Sequence, residues 1–171
     1  NISGRVLAED VKTVFDNPPF HRSPIDGYAC RAADLTGASK EQPVCLKVLR
    51  EIDAGDYSEE EVQPGQAVRI MTGAAIPPGC DCCVRQEDTD YGEERVQIYK
   101  AERPWGNYCF RGEDFKAGQV LLKADRELGF VEAGVLAGMG IPEVAVYRRP
   151  RIAVLTTGNE VVQPGEPLAP G

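Results

Sequence analysis

The clearest helical period in this chain is confined to one segment, residues 127–138, where Leu128, Val131, Val135 and Leu136 fall on one face and Gly138 and Gly140 supply a stop. Upstream of it, short apolar runs alternate with Gly and Pro turns, and that fragmentation predicts a mostly β, α+β fold. Residues 44–49 alternate as a strand does. Residues 67–71 and 82–86 read as strands on either side of a Thr72–Gly79 turn. A hairpin around Tyr91-Gly92-Glu93-Glu94 leads into an alternating run at 96–99. Residues 115–122 read as a turn and strand, and 144–147 as another strand. The 6–15 stretch is compatible with helix or extended chain. Pro18, Pro19 and Pro24 then force an extended loop, and an ordered segment begins at Tyr28-Ala29-Cys30. Residues 53–66 are acidic, contain Gly and Pro, and read as a surface excursion.

The C-terminal stretch departs from this pattern. After the linker-like Arg148-Arg149-Pro150, residues 151–156 form an apolar, β-rich run that ends at Thr157-Gly158-Asn159-Glu160. A strand followed by a polar Gly turn is how an α/β unit opens, and a covering helix is expected next. Gln163-Pro164-Gly165-Glu166-Pro167 follows instead. The expectation is a chain that ends just inside a further α/β domain.

A formal net charge of −8 repels phosphate backbones, which argues against nucleic-acid binding. No apolar run reaches membrane-spanning length and no signal-peptide pattern opens the chain, so a cytoplasmic location is expected. The six cysteines include Cys80-Asp81-Cys82-Cys83, but this is not the usual Cys-x-x-Cys zinc spacing and no second pair follows; reduced, structural thiols are expected. His21 is the only histidine. It reads as an exposed or capping imidazole rather than a catalytic one.

Four segments join a glycine turn to polar side chains. In Ser23-Pro24-Ile25-Asp26-Gly27-Tyr28-Ala29, Asp26 either bonds local backbone amides or presents a carboxylate able to hold a hard cation such as Mg²⁺. In Arg69-Ile70-Met71-Thr72-Gly73-Ala74, small residues at Gly73 and Ala74 would let a ligand approach backbone N–H groups, with the Thr72 hydroxyl beside them. Thr157 and Gly158 lie with Glu160 at the expected C-terminal end of an α/β strand, where ligands tend to bind. The segment lacks the Lys and Gly spacing of a nucleotide P-loop. Arg111-Gly112-Glu113-Asp114 reads equally as a charged turn or a site. Trp105 and Tyr108 read as packing at a domain junction rather than stacking on a ligand.

Taken in order, Ser-x-x-Asp-Gly-Tyr-Ala, Arg-Ile-Met-Thr-Gly-Ala, Arg-Gly-Glu-Asp and a strand ending in Thr-Gly-x-Glu resemble the molybdopterin molybdenumtransferase family, which includes the E domain of gephyrin and its plant counterpart. Pro77-x-Gly79-Cys80 with Val84-x-Gln86-Glu87, and Gly138-x-Gly140-Ile141 with Glu143-Val144, extend the resemblance over nearly the whole chain. The resemblance implies an elongated β-rich domain in two segments (1–20 and 103–148), an inserted β-rich domain (21–102), and the first strand of a truncated α/β molybdopterin-binding domain (149–171). It implies an enzyme that inserts molybdenum from molybdate into adenylylated molybdopterin, releases AMP and uses a divalent cation, usually Mg²⁺. Members are homodimers with the active site between subunits. Asp26, Thr72, Glu160 and Asp114 match residues implicated in the reaction, and this stretch alone is expected to be inactive. A non-catalytic scaffold or dimerisation module of the same architecture is the alternative. Two departures stand out: Cys109-Phe110 occupies positions where the family often has arginines, and Asn159 stands where an acid commonly precedes Glu160.

Overall fold

A computed structural model describes residues 2–168 and Pro170. Asn1, Ala169 and Gly171, which the sequence reading assigns to the first segment and to the α/β stretch, lie outside the described residues. The strands are β1 (Arg5–Val6), β2 (Val11–Lys12), β3 (Gly27–Cys30), β4 (Val44–Ile52), β5 (Gln66–Ile70), β6 (Cys82–Arg85), β7 (Arg95–Ile98), β8 (Val120–Leu122) and β9 (Glu127–Leu128), followed by one α-helix, α1 (Phe130–Gly138). The chain is mostly β, as the turn-broken pattern predicts.

Five strands form one sheet in the order β6-β3-β5-β4-β7, antiparallel except for the β4–β5 pair. Alternation along each strand divides its side chains between two faces. Tyr28, Cys30, Cys82 and Val84 join Leu46, Val96 and Ile98 on one face, capped by Leu35 from a 3₁₀ turn. Ala29, Cys83, Val68 and Ile70 point to the other, where Val62, Ala74 and Ile76 cover them from loops. The central strand β3 is buried throughout. Each large side chain sealed in this way contributes about 1.5–3 kcal/mol.

Two short ladders stand apart from this sheet: β1 pairs with β9, and β2 with β8, both antiparallel. Buried Thr13 strengthens the second, its hydroxyl donating to the Lys116 carbonyl at 2.5 Å and its N–H to the Gln119 carbonyl at 2.9 Å. Leu7, Leu122, Leu128 and Leu136 form the core here.

The helix is shorter than its period suggests. Leu128 lies in β9, and Val131 is exposed; the buried face is Glu132, Leu136 and Met139. The hydrophobic period of 127–138 therefore mixes a strand residue with helical ones. Glu132 explains where the helix starts: its Oε2 accepts the Gly129 N–H at 2.9 Å and its Oε1 takes the Arg126 guanidinium at 2.7 Å. The Gly129 N–H, then Arg126, hold the Glu132 carboxyl below its usual value of 4.5. A depressed folded-state pKa gives stability that is present above about pH 4.5 and lost as pH falls through the folded value. Glu132→Gln should therefore lower the melting temperature at pH 7 and flatten its decline between pH 6 and pH 3, read by thermal melts. An unchanged melting temperature at pH 7 would rule out this anchor.

The hairpin around 91–94 closes over a short span, with the Thr89–Ile98 bridge flanked by the Asp90 N–H on the Gln97 carbonyl at 3.2 Å and the Tyr99 N–H on the Asp88 carbonyl at 2.9 Å, while the long partner of β7 is β4. Other expectations need correction. Residues 144–147 make one bridge, Val146 to Leu7, rather than a strand. The 53–66 excursion is anchored by buried Ser58 and Val62, with the Val62 N–H on the Pro78 carbonyl at 2.8 Å. The expected first strand of an α/β domain is absent: residues 151–158 are irregular, and Ile152, Val154 and Leu155 are 81%, 85% and 85% exposed. An extended apolar run becomes a strand only by ladder bonding, and no described segment of this chain lies beside it as a partner.

All six cysteines are free. Cys82 and Cys83 point to opposite sheet faces, so neighbours in the Cys80–Cys83 run cannot converge on one ion. Burial pushes the Cys80 thiol up, and burial pushes that of Cys83 up to about 12. A thiol-labelling reagent should modify exposed Cys45 fastest and half-buried Cys109 next in the native chain, with buried Cys30, Cys80, Cys82 and Cys83 reacting only after unfolding. Rapid native labelling of the buried four would contradict this packing.

Candidate functional site

Asp26 sits at the tip of the turn that feeds β3. The turn is pinned from below by Ser23, fully buried, whose hydroxyl donates to the Ile25 carbonyl at 2.7 Å. The Ser23 N–H donates to the Ala74 carbonyl at 3.0 Å, and its carbonyl accepts the Gly73 N–H at 2.8 Å. Two of the four motif segments are therefore bolted together. Asp26 completes the junction: its Oδ1 accepts the Thr72 N–H at 2.8 Å and the Thr72 hydroxyl at 2.6 Å. The Gln86 N–H donates to the Asp26 carbonyl at 3.1 Å, bringing a third segment alongside.

The Asp26 carboxyl is held below its usual value, chiefly by the Thr72 hydroxyl, then by the Thr72 N–H, with Arg69 adding a favourable charge. It is therefore an anion at neutral pH. Asp26 and Thr72 border a recess of about 270 Å³ whose wall includes Arg85, Gln86, Glu87 and Asn107. The Asn107 side-chain amide donates to the Cys83 carbonyl at 2.9 Å and to Glu102 at 3.2 Å, which fixes its orientation. Arg85 makes only a loose, exposed pair with Glu87 at 3.6 Å, so its guanidinium can turn toward an incoming group at little cost.

The alternative in which Asp26 bonds local amides is corrected: its partner is Thr72, 46 residues away. The expected route for a ligand to the amides of 72–74 is also closed. The Thr72 N–H is taken by Asp26, that of Gly73 by Ser23 and that of Ala74 by the Met71 carbonyl. Groups reaching a ligand from this loop are therefore side chains. Asp114 lies elsewhere, exposed in a turn whose backbone N–H donates to the Asn17 carbonyl at 2.9 Å. Thr157, Gly158 and Glu160 are exposed in the irregular C-terminal stretch, with the Glu160 carboxylate folded back over Gly158. Among the described residues, no hydrogen bond or shared cavity joins Asp114 or Glu160 to Asp26. Sequence reasoning noted Gln86-Glu87 as a motif but not Arg85 or Asn107, whose only signals are tertiary. No described helix is long and apolar enough to cross a membrane.

The sequence and fold of the chain have counterparts among known proteins. Residues 1–140 match the model of the MoeA N-terminal region (domain I and II), and the chain belongs to that family. It is 42% identical over 169 residues to a molybdopterin molybdenumtransferase of Nostoc sp., covering 99% of this chain and 39% of that protein. The molybdopterin molybdenumtransferase of Bacillus subtilis is 40% identical over 171 residues, covering 98% of this chain and 40% of its own length. A crystal structure of the molybdopterin biosynthesis MoeA protein of Pyrococcus horikoshii superposes with a TM-score of 0.89 at 37% identity, covering 97% of this chain and 44% of that one. The chain thus spans about two fifths of the length of the curated relatives it matches.

Proposed function

We propose that this chain is the N-terminal part of a molybdopterin molybdenumtransferase acting in molybdenum cofactor biosynthesis. The observation that carries the proposal is the Asp26–Thr72 junction, where two motif loops distant in sequence hold one ionised carboxylate at the edge of a polar recess. In this reading the full-length enzyme takes adenylylated molybdopterin and molybdate as substrates, transfers molybdenum to the pterin dithiolene and releases AMP. Asp26 and Thr72 contribute one wall of the active site, with Gly73 and Ala74 giving the loop its close fit. Thr157, Gly158 and Glu160 contribute the opposite wall from an α/β domain, and Asp114 acts near the junction.

Mg²⁺, when bound, screens the pyrophosphate charge. Among the described residues no three His, Cys, Asp or Glu side chains are grouped to hold a metal. Asp26 and Glu160 would be the residues that hold the ion, which would supply charge neutralisation at the substrate pyrophosphate. In this reading the working form is a homodimer, as the family resemblance implies, and the expected compartment is the cytoplasm. Segments 1–20 and 103–148 act as one domain with 21–102 inserted. The chain alone is inactive and serves as a folding or dimerisation module, a reading favoured by the lack, among the described residues, of any hydrogen bond or shared recess joining its two sets of motif residues.

The test is AMP release by the full-length protein given adenylylated molybdopterin, Mg²⁺ and molybdate, with the 171-residue chain beside it. Release by the full-length protein alone is the expected result. Release by neither would favour a scaffold of the same architecture and direct attention to Cys109 and Asn159.

A further inference from the structure

Outside the Asp26 recess, four rings pack into one cluster. His21 lies 5.3 Å from Tyr108 and 5.8 Å from Phe110, Trp105 lies 5.1 Å from Tyr108 and 5.4 Å from Phe110, and Tyr108 and Phe110 are 4.9 Å apart, all between ring centroids. These separations are those of favourable edge-to-face and tilted pairs. The cluster is not closed off, however: Trp105 is 54% exposed and Tyr57, near it, 64%. Together with Phe20 and Tyr108 they line a hollow of about 400 Å³, within the range of small-molecule sites. Tyr108 packs against the sheet core, whereas Trp105 is more than half exposed.

Among the described residues, Arg111 is the one of the Asp, Glu, Lys or Arg type that lines the hollow. Its guanidinium is oriented by Asp16, whose Oδ2 accepts the Arg111 Nε–H at 2.6 Å and whose Oδ1 is fixed by the Ala117 N–H at 2.9 Å. That bond uses one of five guanidinium N–H groups. The Arg111 backbone N–H donates to His21 Nδ1 at 3.1 Å, which ties the ring cluster to the same residue. Exposed aromatic faces offer stacking, and one held guanidinium offers charge-assisted hydrogen bonds. A cation would meet Arg111 and no lining carboxylate.

We propose that this hollow binds a planar ring bearing an anionic group, stacked on Trp105 and Tyr57 with its charge on Arg111. The site is separate from the Asp26 recess and stands whether or not that recess is catalytic.

Trp105 is the only tryptophan, so its fluorescence in the intact chain reports on this hollow alone. GMP and benzoate serve as the charged rings, with guanosine and inorganic phosphate as controls that lack one half each. Saturable quenching by GMP, roughly tenfold tighter than by guanosine or phosphate, is expected. Binding by GMP but not benzoate assigns the site to nucleotides, and binding by both to ring-bearing anions in general. Arg111→Gln should weaken GMP roughly tenfold without changing guanosine, Arg111→Lys should retain most of the affinity, and Tyr57→Ala should weaken both. GMP binding no tighter than guanosine, or equal in Arg111→Gln with an unaltered circular dichroism spectrum, would overturn the proposal.

Discussion

Replacing Gly27 with alanine lowers the melting temperature of the chain by roughly 10 °C or prevents it from folding. A Cβ at this position would lie 1.9 Å from the Val84 carbonyl oxygen and 2.9 Å from its carbon. Neither atom can yield, because β3 is bonded on one side to β6 and on the other to β5. The strand would have to separate from β6 or rotate out of register, and either exposes the central layer of the sheet. A cost of about 3–5 kcal/mol follows, toward the high end for a single substitution. Gly134, within α1, is the matched control: nothing lies within 4 Å of its added Cβ, and Gly134→Ala should stabilise by about 0.5–1 kcal/mol. Equal melting temperatures for the Gly27→Ala and wild-type chains would mean that β3 and β6 are not in such close contact.

Asp26→Asn in the full-length protein should leave the melting temperature almost unchanged while cutting AMP release by roughly 100-fold or more, about 2.7 kcal/mol in transition-state stabilisation. The asparagine oxygen can still accept both bonds from Thr72, so the junction of the two loops survives. Only the negative charge is removed. Because the Asp26 pKa lies below 3.8 in the folded chain, that charge persists as pH falls until about this value, and the wild-type profile should show no acid limb from Asp26 between pH 5 and pH 8. Near-normal turnover by the asparagine variant would remove Asp26 from the active site. A collapse in melting temperature would instead assign it a structural role only.

Much of the sheet was legible because its signals are local. β7 alternates exposed and buried residues over four positions, and β4 does so over most of its length, so the sequence shows a strand before any partner is known. The helix start was not legible. Leu128 falls on the helical period by coincidence, and what makes it a strand residue is pairing with Arg5 at the other end of the chain. The apolar run at 151–156 has a strand's composition without a strand's partner, and composition cannot report that difference. At the candidate site, the order of the motifs pointed to Asp26 and Thr72, but not to the fact that they bond each other. Arg85 and Asn107 reach the recess through tertiary placement alone, and a positive φ at Asn107 leaves no mark in the sequence beyond the tolerance of asparagine for it.

The seam between the chain's two ends has a consequence for synthesis. Thr13 and the Lys116 carbonyl it bonds are 103 residues apart, and every strand of the five-stranded sheet lies between them. On a ribosome adding about 5–20 residues each second, the first strands wait roughly 5–20 s for their partners, while the sheet between them can close as soon as it emerges. During that interval the leading segment must neither aggregate nor pair wrongly. Its composition suits the delay: Glu9, Asp10, Lys12 and Asp16 interrupt its few apolar residues, as charges do around strands that must stay soluble until used. When the partners arrive, two of the same charges become fasteners, Asp10 taking the Ala124 N–H at 2.8 Å and Asp16 that of Ala117 at 2.9 Å. Side chains that protect the nascent strand thus later lock it in place.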